Sequence, residues 1–288
     1  MKFLALVLAL LLEQAWPLRR GNPLYVAYDR CADYLERKFN GLQASHGTIA
    51  WLVAVVPLAL VTMAIYAMLR EAHALLAIAW SVAVLYVAMG FRRFSHRYTE
   101  IAQALREQDI AAARDVLGRW RGVPADELNA ADISRVAIEL GLLQAHRYVL
   151  GPIFWFVILG PVGPVIYRAA DLLASRWSNQ GEPEKRAFAQ FAERAFFWID
   201  WLPSRVTAAS FAVAGNFEDA AYCWRTQAAG WGRGAELREE GMLNQRPDLG
   251  IGDEVEVEDL RAAVGLTWRA LVLWLFLLLI VALARAFG

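Results

Sequence analysis

Four ionisable residues stand inside or at the end of apolar stretches, where charge is costly. Arg168 and Asp171, one helical turn apart, close the run YVLGPIFWFVILGPVGPVIY at 148–167. Asp200 and Arg205 interrupt a further apolar stretch, 195–214, on either side of Pro203. An ionised group at membrane depth must pair with another group or face a cavity, so it is by default a functional candidate. Asp200 and Arg205 can pair across the proline kink. The alternative is a tilted or re-entrant helix whose polar kink sits at the interface. A last group is the acidic patch that runs from Asp253 to Asp259. Carboxylates and guanidinium groups of this kind can line a cleft and hold a charged ligand. No Walker A pattern, zinc-ligand spacing or nucleophile elbow occurs, so a metal site is not expected. His46, His73, His96 and His146 are dispersed and are expected at membrane boundaries.

The elements that position these groups are transmembrane helices. Of 288 residues 58% are apolar and only 20% charged, with twelve tryptophans, and the charges gather between long apolar runs. A net charge of zero gives no basic stripe for nucleic acid. Cys31 and Cys223 make neither a disulfide framework nor a metal cage. The expected fold is all-α, a polytopic bundle of five to six spans in one integral-membrane domain, 1–288. Crossings are predicted at about 3–18, 48–69, 73–90, 148–167, 195–214 and 268–286, with 195–214 the doubtful one. Polar insertions fill 91–147 and 215–267.

Several features refine that picture. Glu13 ends the first apolar run and is expected near the interface, the alternative being a buried polar contact. Asn22 and Pro23 suit an N-cap and first helical position. Leu24, Tyr28, Cys31, Leu35 and Phe39 then fall on one face of an amphipathic helix. Only Arg70, Glu71 and Ala72 separate the second and third runs, which predicts a tight antiparallel hairpin. Within 91–147, one stripe holds Tyr98, Ile101 and Leu105 and a second holds Ile110, Ala113, Leu117 and Trp120, with a turn at Gln108 and Asp109. Asn129 and Asp132 resemble a capping arrangement. The run 148–167 is expected to be one kinked span packed against protein, because carbonyls freed near Pro152 and Pro161 need partners inside a bilayer. Segments 18–47, 91–147 and 215–266 hold about nineteen of the 29 lysines and arginines, which predicts that they are cytoplasmic.

Together FLALVLALLLEQ at 3–14, GPIFWFVILGPVGPVIYRAADLL at 151–173, IDWLPSRVTAASFAVAGNFEDA at 199–220 and GIGDEVEVEDLRAAVGLTWRA at 250–270 resemble the superfamily of bacterial inner-membrane proteins that joins CobD/CbiB of cobalamin biosynthesis with the β-lactamase regulator AmpE. CobD/CbiB proteins join an amino-alcohol to a corrinoid carboxylate in an ATP-dependent amide synthesis, which implies ATP and magnesium on that branch. By the resemblance, the motif after Glu139 should carry an acid, an asparagine and an aspartate, where this chain has Leu143, Gln144 and Arg147. Two adjacent aspartates upstream of Pro203 are replaced by Phe196 and Phe197. Glu139, Tyr167, Arg168, Asp171, Asp200, Arg205, Asp253 and Asp259 are retained as candidates for a ligand-binding cleft. The loss of acids predicts a divergent, AmpE-like regulatory or signalling member without cofactor. That member would act through a protein partner or small-molecule ligand at the lipid bilayer. The alternative is an adenosylcobinamide-phosphate synthase-like ligase. A transporter reading is weaker, since no internal repeat or paired broken helices occur.

Overall fold

The computed structural model describes residues 2–16, 23–39, 44–178, 183–215 and 257–287, and every regular element among them is helical. In chain order these are α1 (Lys2–Ala15), α2 (Pro23–Phe39), α3 (Ala44–Ala72), α4 (Ala74–Ala88), α5 (Phe91–Arg106) and α6 (Ile110–Arg121). Then come α7 (Ala130–Ala145), a π-helical turn at His146–Leu150, α8 (Gly151–Leu159), α9 (Val162–Ser178), α10 (Pro183–Ala214) and α11 (Val257–Phe287). The all-α membrane fold follows, though the described residues hold fewer full-length spans than the expected five to six. His46–Ala72, Ala130–Leu159 and Leu260–Ala284 are long and apolar enough to cross a bilayer, and Ala74–Ala88 is apolar but shorter. At 14 residues α1 rises about 21 Å, less than a hydrocarbon core of about 30 Å. The stretch 195–214 is the second part of α10, a 32-residue helix with Pro203 inside it.

Two compact units make up the chain. The first holds Met1–Arg93, Ala145–Arg205 and Ala282–Gly288. Its core joins Ala32 and Leu35 of α2, Ala50, Ala54 and Val55 of α3, Leu173 and Trp177 of α9, and Phe188 and Ala192 of α10. Small residues at these positions let the helices approach closely, as membrane helices do. The amphipathic α2 is present, with its face rotated from the expected one. Ala32 and Leu35 are buried and Tyr28 and Phe39 partly so, whereas Cys31 is exposed. Asn22 and the side chain of Leu24 lie outside the described residues. Glu13 is buried at 2% exposure, which resolves its two readings in favour of a polar contact inside the bundle.

The 148–167 run is a helical hairpin, not a single kinked span. Gly160, at φ 67°, ends α8, and Pro161 leads into α9. The two arms press together so closely that a Cβ on Gly163 would overlap the Trp155 carbonyl, and one on Gly151 would overlap the Tyr167 ring. Pairing 151 with 167 and 155 with 163 makes the arms antiparallel. Tyr148 and Tyr167 therefore lie at the same end of the hairpin, and the chain after Tyr167 returns to α2.

The second unit holds Phe94–Gln144 and Val206–Val281. Both predicted stripes are buried except at Ile110, which is exposed at the start of α6. Tyr98 meets the Trp120 ring edge-on at 5.8 Å, and burial pushes the Tyr98 hydroxyl well above the ordinary tyrosine range. The turn falls at Gln108, and Asp109 caps α6 by accepting from Ala112 N–H. Asn129 caps α7 by accepting from Asp132 N–H at 2.8 Å.

Candidate functional site

Three prolines prepare the ground. A proline cannot donate to the carbonyl four residues back, and inside a membrane that oxygen needs another donor. For Pro152 the freed oxygen is Tyr148 O, which accepts from the Gly90 N–H at the end of α4, 3.3 Å away. For Pro161 it is Val157 O, and Lys2 Nζ donates to it at 2.7 Å. For Pro203 it is Ile199 O, which accepts from the Trp155 indole at 3.2 Å. Each proline thus becomes a joint between two elements of the first unit. Of the two kinds of partner open to the carbonyls near Pro152 and Pro161, neighbouring helices or trapped water, both find a protein donor.

Between these joints lies a buried polar cluster. Asp200 of α10 accepts from the Tyr167 hydroxyl at 2.7 Å and lies 2.8 Å from His146 Nε2 on the same oxygen, Oδ1. The Tyr167 hydroxyl is also 3.5 Å from His146 Nε2. One turn along α9, Arg168 donates to Asp171 Oδ2 at 2.5 Å, and its guanidinium lies over the Tyr148 ring at 4.3 Å. Arg147 Nη1 stands 3.7 Å from Asp171 Oδ1, with its guanidinium 5.4 Å from the centre of the Phe196 ring. His146 and Arg147 sit in the π-helical turn, where Gly151 N–H reaches back to His146 O. Such single π turns shift side-chain register within a helix and are frequent at functional sites.

Of the candidates, Tyr167, Arg168, Asp171 and Asp200 come together. Arg205 does not take part in the expected pairing with Asp200: its guanidinium stacks 3.8 Å above Trp201 and Nη1 donates to the Trp201 carbonyl at 2.9 Å. Glu139 lies on α7 in the second unit. Asp253 lies outside the described residues, as does the side chain of Asp259. Two residues that the sequence reading passed over complete the cluster. His146, expected only as a boundary residue, has its side chain buried against Tyr167 of α9 and Asp200 of α10. Arg147, noted only as the replacement of an acid, faces Asp171.

The geometry also tests the magnesium ion that the resemblance implies. Magnesium asks for near-octahedral oxygen ligands at about 2.0–2.1 Å. Among the described residues no three His, Cys, Asp or Glu side chains group for a metal. Asp171 Oδ2 is taken by Arg168 and Asp200 Oδ1 by His146 and Tyr167, and Asp171 Oδ1 faces the Arg147 cation at 3.7 Å. The described residues do not fit a resident magnesium ion.

A mostly helical membrane chain with one buried carboxylate, guanidinium and imidazole cluster defines a polytopic membrane protein with a polar site between its helices. The model of the family described as CobD/Cbib protein matches residues 3–233. The cobalamin biosynthesis protein CobD of Stutzerimonas stutzeri (strain A1501) is 31% identical over 96% of this chain and 97% of its own length. CobD of Chromobacterium violaceum is 33% identical over 77% of this chain and 76% of its own. The cobalamin biosynthesis protein CbiB of Salmonella typhimurium is 25% identical over 64% of this chain and 57% of its own. No solved structure matches. The chain belongs to the CobD/CbiB family. These relatives support the cobalamin-biosynthesis branch and lend nothing to the AmpE-like regulatory function or the β-lactamase link expected from the lost acids.

Proposed function

We propose that this protein acts in cobalamin biosynthesis as an adenosylcobinamide-phosphate synthase-like amide-forming ligase. It would join an amino-alcohol to a corrinoid carboxylate, with ATP supplying the driving force. The observation that carries this reading is the match to a CobD protein along almost the whole of both chains. The buried cluster supports it, because two carboxylates and two guanidinium groups placed between helices can orient an amine against an acid. We assign the protein to the bacterial inner membrane, with α2 and the start of α10 on the cytoplasmic side, where a soluble corrinoid and nucleotide are available.

The test is growth. The gene, expressed in a bacterium that lacks its own synthase and needs cobalamin, is expected to restore growth on the cobalamin precursor. Asp200→Ala and His146→Ala are expected not to, although both variants still reach the membrane. If wild-type protein found in the membrane fails to restore growth, the ligase reading falls.

A further inference from the structure

The cluster is graded in exposure, and the gradient ends on a cation. Side-chain exposure is 5% for Arg168 and 7% for Asp171 and His146, rising to 19% at Asp200 and 26% at Arg147. Arg147 is thus the most accessible member of the cluster. Arg147 is also the least committed member. At 3.7 Å its Nη1 is beyond hydrogen-bond length from Asp171 Oδ1, and Arg147 Nε and Asp171 Oδ1 are both buried without a hydrogen-bond partner. Asp171 is 93% buried by side chain and pairs through Oδ2 with Arg168, so Arg147 meets Asp171 and Asp200 only through longer-range attraction. The Phe196 ring supports the guanidinium by a cation–π contact. A planar fork held in this way matches the two oxygens of a carboxylate or phosphate.

We propose that this site takes its anionic ligand, a carboxylate or a phosphate, directly on Arg147, with no divalent cation between them. Positions 147 and 196, where the family resemblance leads one to expect acids, come from separate motifs and meet in space as a guanidinium on a phenyl ring. Two carboxylates that could share a metal are thus replaced by one resident cation on an apolar support. The inference rests on reading this cluster as the substrate site, but not on amide formation.

The experiment follows the reactivity of Arg147 towards phenylglyoxal in full-length protein purified in detergent, read by mass spectrometry of the peptide that carries it. In EDTA, inorganic phosphate or propionate is expected to slow modification severalfold, and adding magnesium is expected to change nothing further. Protection by phosphate alone assigns a phosphoryl group, and protection by propionate alone a carboxylate. Arg168 is the buried control and is expected to stay unmodified throughout. Calorimetry adds a second arm: Arg147→Lys should retain measurable anion binding, whereas Arg147→Gln should weaken it tenfold or more. Should Arg147→Gln fail to fold, the wild-type footprint still decides. Protection that appears only with magnesium overturns the proposal, as does protection by neither anion. Restored growth without protection overturns this inference alone, and protection without restored growth overturns the ligase reading alone.

Discussion

At the scale of single residues, the structure is organised by where orphaned carbonyls find donors. Trp155 is the informative case, because its indole serves the oxygen that Pro203 leaves open, and Pro203 lies less than a turn from Asp200. Replacing the indole by a phenyl ring keeps most of the apolar bulk and removes the donor. Trp155→Phe is therefore expected to destabilise by about 1–3 kcal/mol, the cost of a buried unsatisfied carbonyl. Thermal unfolding in detergent measures it, and Trp155→Phe in a Pro203→Ala background should cost clearly less, because the backbone then supplies its own donor. An equal loss in both backgrounds would mean that packing, not the hydrogen bond, sets the effect. This accounting was half legible. Prolines announce which oxygens are freed, and the need for partners follows from the bilayer. Their identities do not follow, because Lys2, Gly90 and Trp155 are each remote in sequence from the proline whose freed carbonyl they serve. His146 was missed for the same reason: its partner Asp200 is 54 residues away. The available signal was its place beside Arg147, a polar pair abutting an apolar run.

At the scale of elements, the hairpin decides which segments can meet. A run of twenty apolar residues has the same hydropathy whether it crosses once or turns back halfway, so periodicity could not separate the two. The signal that could have done so was Gly160–Pro161, since a residue in the left-handed region followed by proline suits a turn better than a kink. Because α9 returns, it lies against α2, and Arg176 clasps Asp33 through Nε and Nη2 at 2.7 and 2.8 Å. These hydrogen bonds hold the Asp33 carboxyl below its usual range and raise that of Arg176. Unfolding releases Asp33 to a higher pKa, so the unfolded chain binds the proton more readily. The contribution is then fully present above about pH 4 and fades as pH drops through the lower folded value. The pair is 43% and 34% exposed, so its worth is expected to stay below about 1 kcal/mol and to shrink in salt. Comparing Asp33→Asn with wild type in thermal melts should show a small difference at neutral pH that vanishes in acid. A difference that persists or grows in acid would contradict the assignment.

At the scale of the whole molecule, the hairpin changes the topology implied by counting apolar runs. If 148–167 crossed once, Arg168 and Arg176 would emerge on the side opposite α2. They instead sit beside α2, where Arg176 pairs with Asp33 and the Arg168 guanidinium stands 6.0 Å from the centre of the Tyr25 ring. The other end is marked by one small cavity lined by Lys2, Tyr66, Ala77, Gly160 and Pro161. The start of α1, the end of α3 and the hairpin tip thus share a level, while α2 packs on the first part of α3, near Ala50 and Ala54. Since His46–Ala72 is long enough to cross a bilayer, native Cys31 and the α3–α4 turn should lie on opposite faces. A membrane-impermeant maleimide applied to whole cells should spare Cys31 in a Cys223→Ser background. It should label Glu71→Cys or Leu159→Cys once both native cysteines are removed. With inside-out vesicles the pattern should reverse. Failure of Leu159→Cys to label from either face would place it mid-bilayer, return 148–167 to an ordinary single crossing and separate Tyr167 from His146. The buried cluster could not then exist, so the bilayer topology and the site stand or fall on the same measurement.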